Sequence, residues 1–410
     1  MSDRNKNDDI RIKHHKRHVV IWRLLTFIFR PGLKLFFRLK SQVFKGDENK
    51  NIPESFMVIS NHCTSYDPVM ISLSFPQHMY FIAGNHVFKS GIWSRLLTWF
   101  FAPIGRQKSH SATPAVIESI KCLKQGYNVC MFAEGNCSYN GLTSPIPAAT
   151  GKMLKKAGCG LVTYRFEGDY FMAPRWSLHR RWGPVNGHPV TYITANELKD
   201  MSADEINDII TRDLSEDAYQ RQKENHDKYY GRKRAEALET LLYVCPSCHR
   251  ISTMTSHKSM MTCDCGLKVF YDVYGFLHDE SIGRSDITIT EWDNFQRDYL
   301  FQLIEKTADG EIIFSDEDIT LYKSNSASER ISIMTGTLSI SNRELIISER
   351  HFPMDQIIGF TTCNRSGLIF MYEKVLYELR APHNFNALKY FDYYNYIMKK
   401  QGKDVWDRCF

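Results

Sequence analysis

Ser60-Asn61-His62-Cys63-Thr64-Ser65-Tyr66-Asp67-Pro68 joins an apolar run, Phe56–Ser60, to a helical one, Pro68–Phe75. The run before it reads as a buried strand. Asp67 before Pro68 reads as a helix start, with the carboxylate as cap and the proline at the first helical position. A histidine at the end of a strand and an aspartate at the start of the next helix can meet as a base and its orienting carboxylate. In that pairing a neutral imidazole takes a proton from an attacking hydroxyl, while the carboxylate fixes the tautomer and stabilises the imidazolium. The spacing alone is weak, since a chain with 15 histidines produces one His-x4-Asp by chance.

Outward from this stretch the pattern alternates short apolar runs with helical periods. Strands are predicted at Phe56–Ser60, Met79–Ala83, Asn128–Ala133, Gly160–Phe166 and Val190–Thr194. Helices are predicted at Pro68–Phe75, Phe88–Phe101, Ala115–Lys124, Ala148–Ala157 and Ala203–Gln222, followed by a charged helical connector at Tyr219–Glu239. Such alternation makes an α/β domain, a mixed sheet flanked by helices, with sites at the carboxyl ends of strands. A second strand end carries Phe132-Ala133-Glu134-Gly135-Asn136-Cys137-Ser138, and Pro103-Ile104-Gly105-Arg106 lies between the two. Gly-x-Ser-x-Gly and P-loop motifs are absent, which disfavours a hydrolase elbow or an NTPase.

These blocks, in this order and spacing, resemble the glycerolipid acyltransferase family that includes the bacterial 1-acylglycerol-3-phosphate acyltransferases. The family's Asn-His-x-Ser-x-x-Asp is matched at 61–67 with Thr64 in the serine place. Its Gly-Arg block is matched by Gly105 and Arg106, and its Phe-Pro-Glu-Gly-Thr-Arg-Ser block by Phe132, Glu134, Gly135 and Ser138. Gly160–Thr163 stands where its fourth, apolar block belongs, so the resemblance spans about residues 50–200. It implies transfer of a fatty acyl group from acyl-CoA or acyl carrier protein to a lysophospholipid hydroxyl. His62 would be the general base and Asp67 its orienter. Arg106, Glu134, Gly135 and Ser138 would bind the acceptor, a lysophosphatidic acid-like molecule. The departures are Ala133 for Pro, Asn136 for Thr and Cys137 for an Arg expected to hold the acceptor phosphate; a lysine usual near position 147 is also missing. Arg165 and Arg175 are the candidates to replace the lost cation. An unusual acceptor follows more readily than a dead enzyme.

Residues 245–265 change character. Cys245 and Cys248, fourteen residues, then Cys263 and Cys265 supply four thiolates on two turns, as a tetrahedral structural zinc site requires. His249 and His257 are the alternative ligands. The other seven cysteines are scattered and no secretory signal is expected from the long, charged N-terminal stretch, which fits a reducing compartment better than a disulfide framework. After a helix at Ile289–Ile304, strands are predicted at Glu311–Ser315, Ile319–Lys323, Gly336–Ser341, Glu344–Ser348, Ile357–Thr362, Gly367–Tyr372 and Val375–Arg380, with a closing helix at Asn384–Lys399. That β-rich C-terminal region looks like a pleckstrin-homology-like or GRAM-like barrel. It is expected to cover the acceptor side or dock a partner.

The 410-residue chain is 43% apolar and 24% charged, an ordinary globular balance, with a net charge of +6. The charge is uneven. Residues 1–50 hold 13 Lys/Arg against 5 Asp/Glu, so the remainder is slightly acidic. A basic body for nucleic acid is therefore excluded, and the charge points to an anionic surface near the N-terminus. Residues 1–18 read as a polar, mobile segment. Residues 19–45 read as an interfacial helix pair broken at Pro31-Gly32, its aromatic residues buried among headgroups and its cations snorkelling. No run of 18 uncharged apolar residues exists, so a membrane-spanning helix is not expected. The resulting organisation is a basic arm over 1–45, an acyltransferase domain over 46–235, a zinc ribbon over 240–280 and the β-rich region over 281–410. The protein would sit peripherally at the cytoplasmic face of the membrane, with zinc and an acyl thioester as its cofactor and co-substrate. The alternative is an inactive lipid-binding or scaffold protein on the same fold.

Overall fold

A computed structural model describes residues 2–41, 52, 54–84, 101–106, 113–324, 330–382 and 385–403. In chain order the first half comprises α1 (Ser2–Phe37), β1 (Leu39–Ser41), β2 (Phe56–Ser60), α2 (Asp67–Ser74), β3 (Met79–Gly84), β4 (Ile104–Arg106), α3 (Thr113–Lys124), β5 (Asn128–Phe132), α4 (Ala149–Ala157), β6 (Gly160–Glu167), α5 (Asp169–Met172), β7 (Val185–Ile193), α6 (Ala195–Asp200), α7 (Ala203–Leu214) and α8 (Ala218–Asn225). Strands β1 to β7 form one sheet in the order β1-β7-β6-β2-β5-β3-β4, parallel except for the β6–β7 pair. The expected mixed α/β architecture is what forms.

Strand β2 shows why. All five of its residues are buried, as a central parallel strand covered on both faces requires. Phe56 and Val58 enter one core with Phe75, Met79 and Tyr164, while Met57 and Ile59 enter the other with Ile120, Leu154 and Ile206. Ser60 of β2 lies in register with Phe132 of β5, so the loops that leave these two strands start side by side.

The second half begins with β8 (Met254–His257), β9 (Met260–Cys263), β10 (Lys268–Tyr271), β11 (Leu277–Asp279) and β12 (Arg284–Ile287), an antiparallel sheet in reverse chain order. Helix α9 (Ile289–Lys306) follows. Then come β13 (Phe314–Ser324), β14 (Arg330–Ile340), β15 (Glu344–Ile347), β16 (Arg350–Pro353), β17 (Ile358–Cys363), β18 (Gly367–Tyr372), β19 (Val375–Arg380) and α10 (Ala387–Lys400). Their order, β16-β15-β14-β13-β19-β18-β17, is a four-strand and a three-strand antiparallel meander joined through β13 and β19.

Several expectations are corrected. The N-terminal segment is one helix, Ser2–Phe37, with no break at Pro31-Gly32. Packing on both sides of the proline holds it: before it His15 stacks on Tyr127 and the Arg30 guanidinium donates to the Phe75 carbonyl, and after it the Phe37 ring packs against Tyr66. The 203–222 helix is two helices, because Asp217 caps a new one by accepting from the Tyr219 and Gln220 N–H groups. The connector is α-helical only to Asn225, with one further 3-10 turn at Leu238–Thr240. The expected strands at 311–315 and 319–323 are one strand, β13, whose register with β14 shifts where Asp318 takes a positive φ. Strand β16 went unforeseen. Of the expected helix 88–101, with its aromatic stripe, all but Phe101 lies outside the described residues.

Candidate active site

The loops leaving β2 and β5 meet at the carboxyl ends of adjacent parallel strands, where ligand crevices of open α/β sheets lie. Two contacts clamp them together, and a third fixes the β5 loop on itself. The His62 N–H donates to Glu134 Oε1 at 2.6 Å, the Ser138 N–H donates to the His62 carbonyl at 2.7 Å, and the Ser144 N–H donates to Glu134 Oε2 at 2.7 Å. Asn61 adds a third loop, exchanging hydrogen bonds with the Phe166 backbone at the end of β6.

His62 and Asp67 meet: Nδ1 and Asp67 Oδ2 are 2.7 Å apart, and the ring stacks on Phe132. The same carboxylate oxygen accepts from the Cys63 N–H at 2.9 Å and the Thr64 N–H at 3.0 Å. Asp67 therefore does not cap α2 as expected. It is the helix's first residue, fully buried, and its side chain turns back into the 62–64 loop instead of toward the helix N–H groups. Burial pushes its carboxyl up to about 8, against the pull of those two N–H groups. Burial does the same to Glu134, also to about 8, against the N–H groups of Ser144 and His62.

A cleft of about 1340 Å³ opens over these loops. Among the described residues one wall is α1, through Trp22, Leu25 and Phe29. The opposite wall is the β17 region and α10, through Ile358, Phe360 and Tyr394. The C-terminal region thus covers the cleft, and it also braces the site loop. Tyr139 Oη and Thr362 Oγ1 are 2.6 Å apart, and Asn140 donates to Asp293 of α9 at 3.0 Å.

The predicted acceptor residues separate. Arg106 lines the cleft, burial lowers its pKa, and no charged or hydrogen-bonding neighbour among the described residues perturbs it. Gly135 lies beneath it at φ +73°, and a Cβ there would come 3.1 Å from Arg106 Nη1. Glu134 lines the cleft, yet its carboxylate is held by the two backbone N–H groups above. Ser138 is turned away: its hydroxyl donates to the Leu142 carbonyl, accepts from the Gly141 N–H, and stands outside the cleft lining. Of the two candidate replacement cations, Arg165 pairs with Glu167 away from the cleft. Arg175 reaches in, stacked 4.0 Å over Tyr139, donating to the Cys137 carbonyl at 3.3 Å and to Thr362 Oγ1 at 3.2 Å.

One contact escaped the sequence. Cys137 Sγ lies 3.2 Å from His62 Nε2. Its signal is a cysteine three residues after Glu134 in a motif that faces His62, which the sequence alone presents only as a missing arginine.

The four cysteines of 245–265 converge, all their sulfurs lying within 4.8 Å of one another. The Cys245–Cys265 pair is 3.7 Å apart and the Cys248–Cys263 pair 3.8 Å. A tetrahedron with metal–sulfur bonds of about 2.3 Å has edges of about 3.8 Å, so this donor set fits a metal. His249 instead stacks on Tyr299.

Residues 43–167 match the family model described as Acyltransferase, so the chain carries a domain of that family, as the motif blocks indicated. A solved structure similar to this chain is PlsC, the 1-acyl-sn-glycerophosphate acyltransferase of Thermotoga maritima. It is 19% identical with a TM-score of 0.40, over 47% of this chain and 76% of that one. Comparison with curated proteins gives no match.

Proposed function

We propose that the protein moves a fatty acyl group from an acyl-CoA or acyl carrier protein thioester to a hydroxyl of a lysophospholipid, lysophosphatidic acid-like acceptor. The observation that carries this reading is the His62 Nδ1–Asp67 Oδ2 hydrogen bond of 2.7 Å, which leaves Nε2 facing the cleft side. With Nδ1–H held by the carboxylate, Nε2 is the basic nitrogen. It takes the hydroxyl proton as the acceptor oxygen attacks the acyl carbonyl and returns it to the departing thiol. Arg106 lines the cleft and, with no charged neighbour among the described residues perturbing it, supplies a guanidinium for the acceptor phosphate, a bidentate partner for which arginine is suited. Arg175 brings a second cation to the edge of residue 137, where the family arginine is absent. Glu134 and Ser138 act by fixing the loop, and Gly135 by leaving room for Arg106.

Cys245, Cys248, Cys263 and Cys265 would hold zinc, which when bound cross-links the turn before β8 to the turn between β9 and β10. We divide the chain into a basic arm (1–45), acyltransferase domain (46–235), zinc ribbon (240–280) and C-terminal domain (281–410); the three sheets support three of these units, although β1 (Leu39–Ser41) pairs with β7 and β12 (Arg284–Ile287) pairs with β11 across the proposed bounds. The two joined meanders closed by α10 favour a pleckstrin-homology-like C-terminal domain. No helix among the described residues is long and apolar enough to cross a membrane. Val20, Leu24, Phe27, Ile28 and Leu35 are exposed at helical spacing on α1, Phe27 by 84%, beside Arg23 and Lys34. Such a stripe suits peripheral association with an anionic lipid surface at the cytoplasmic face.

The test is product analysis by mass spectrometry. Wild type and His62→Ala are incubated with acyl-CoA and acyl carrier protein donors and a panel of lysolipids that includes lysophosphatidic acid. An acylated lysolipid that disappears in the variant is expected. Lipid binding without turnover in the wild type would overturn the reading in favour of a scaffold.

A further inference from the structure

Direct transfer requires the acceptor hydroxyl to touch His62 Nε2, but that position already holds the Cys137 thiol, 3.2 Å away. The backbones on either side are pinned by Ser138 N–H to the His62 carbonyl, by Glu134 to the His62 N–H, and by Arg175 to the Cys137 carbonyl. Cys137 also lines the cleft and is part-exposed, unlike Cys63, Cys122, Cys130 and Cys159 of the same sheet region, which are buried. Asp67, His62 and Cys137 therefore form a continuous chain of orienting carboxylate, base and nucleophile, with contacts of 2.7 and 3.2 Å.

We infer that Cys137 is the nucleophile of the reaction and carries the acyl group as a thioester between donor and acceptor. The inference rests on the acyl-transfer reading above and adds a covalent intermediate to it. In the first half, His62 Nε2 takes the Cys137 proton and the sulfur adds to the donor carbonyl. The carbon–sulfur bond to the donor then breaks, and the donor thiolate leaves with the proton from the imidazolium. One thioester replaces another, so no energy source or oxidant is needed. In the second half, the acceptor hydroxyl occupies the space that the donor thiol vacated and gives its proton to Nε2. Its oxygen adds to the acyl-Cys137 carbonyl, the bond to Cys137 breaks, and the thiolate recovers the proton. The neutral His62–Asp67 pair and the free thiol are restored. Donor and acceptor react in turn at one imidazole, so ping-pong kinetics follow.

The experiment uses the full-length protein without acceptor, mixed with palmitoyl-CoA or, in parallel, palmitoyl carrier protein. Intact-protein mass spectrometry is expected to find one palmitoyl group. Neutral hydroxylamine removes it, peptide mapping places it on Cys137, and added lysolipid chases it into product. Cys137→Ala is expected to lose the label and at least about a hundredfold in kcat. Cys137→Ser, nearly isosteric, controls for folding by its unchanged melting temperature and accumulates a hydroxylamine-resistant ester if it labels. No adduct from either donor, an adduct on another cysteine, or Cys137→Ala turnover within threefold of wild type would each overturn the nucleophile. The base reading is judged separately: His62→Ala losing turnover while Cys137→Ala keeps it leaves direct transfer standing, and both variants keeping it removes both.

Discussion

Replacing Asp67 by Asn separates the chemistry of the site from its architecture. Asp67 Oδ2 accepts from His62 Nδ1 and from the Cys63 and Thr64 N–H groups, and the residue stands outside the cleft lining. An asparagine carbonyl retains three acceptor contacts of the same shape, so the loop should keep its path. What disappears is the charge that orients Nδ1–H and stabilises the imidazolium. General-base catalysis contributes about 10²–10⁴ in rate, and the analogous substitution in a Ser-His-Asp triad removes about 10⁴. At 1.36 kcal/mol per decade the expected loss is about 3–5 kcal/mol of transition-state stabilisation. It should appear in kcat, with KM within about twofold, because substrate does not touch Asp67. The buried carboxyl is destabilised by desolvation, so Asn should melt no lower than wild type. Asp67→Ala is the contrast: it strands two buried N–H groups at about 1–3 kcal/mol each and should lower stability as well. Steady-state kinetics beside thermal melting is the assay. Asp67→Asn with kcat within threefold of wild type and an unchanged melting temperature would refute the assigned role.

Three further outcomes follow from the same geometry. With the Asp67 carboxyl raised to about 8, it holds a proton at lower pH and lacks the charge that supports the imidazolium. kcat/KM should therefore rise about tenfold per pH unit up to about 8 and then level, a limb that Asp67→Asn should abolish in a pH–rate profile. Gly135→Ala forces a side chain to φ +73° and to 3.1 Å from Arg106, at a cost of about 1–2 kcal/mol in a melting experiment. It should also raise KM for a phosphate-bearing acceptor, and an unchanged KM would remove Arg106 from the acceptor site. Elemental analysis should find about one zinc per chain. Chelation or Cys248→Ser should remove it and lower the melting temperature, whereas metal content near zero in native protein would refute the site.

The site's framework was legible because its motifs are local. His62 and Asp67 lie five residues apart across one strand–helix junction, and a strand end followed closely by a helix start brings such residues together. The four cysteines were legible for the same reason, two short-range pairs whose spacing already encodes turns. What escaped the reading was set by contacts between distant segments. The proline in α1 looks like a break in isolation, and packing against β3, α2 and Tyr127 overrides it. Ser138 matched the family motif by position but faces into its own turn.

The sequence by itself determined the parallel core, since a five-residue run such as Phe56–Ser60 with no polar face can only be buried on both sides. It also determined which residue types stand at the strand ends. Only the tertiary structure decided what those residues do. Hydrogen bonds across 72 residues, between Glu134 and His62, align two loops so that Cys137 meets Nε2. Contacts across more than 200 residues, between Tyr139 and Thr362, bring the C-terminal region over the cleft. Side-chain pairings at such separations depend on strand register and on how the sheets pack, and periodicity along the chain carries neither.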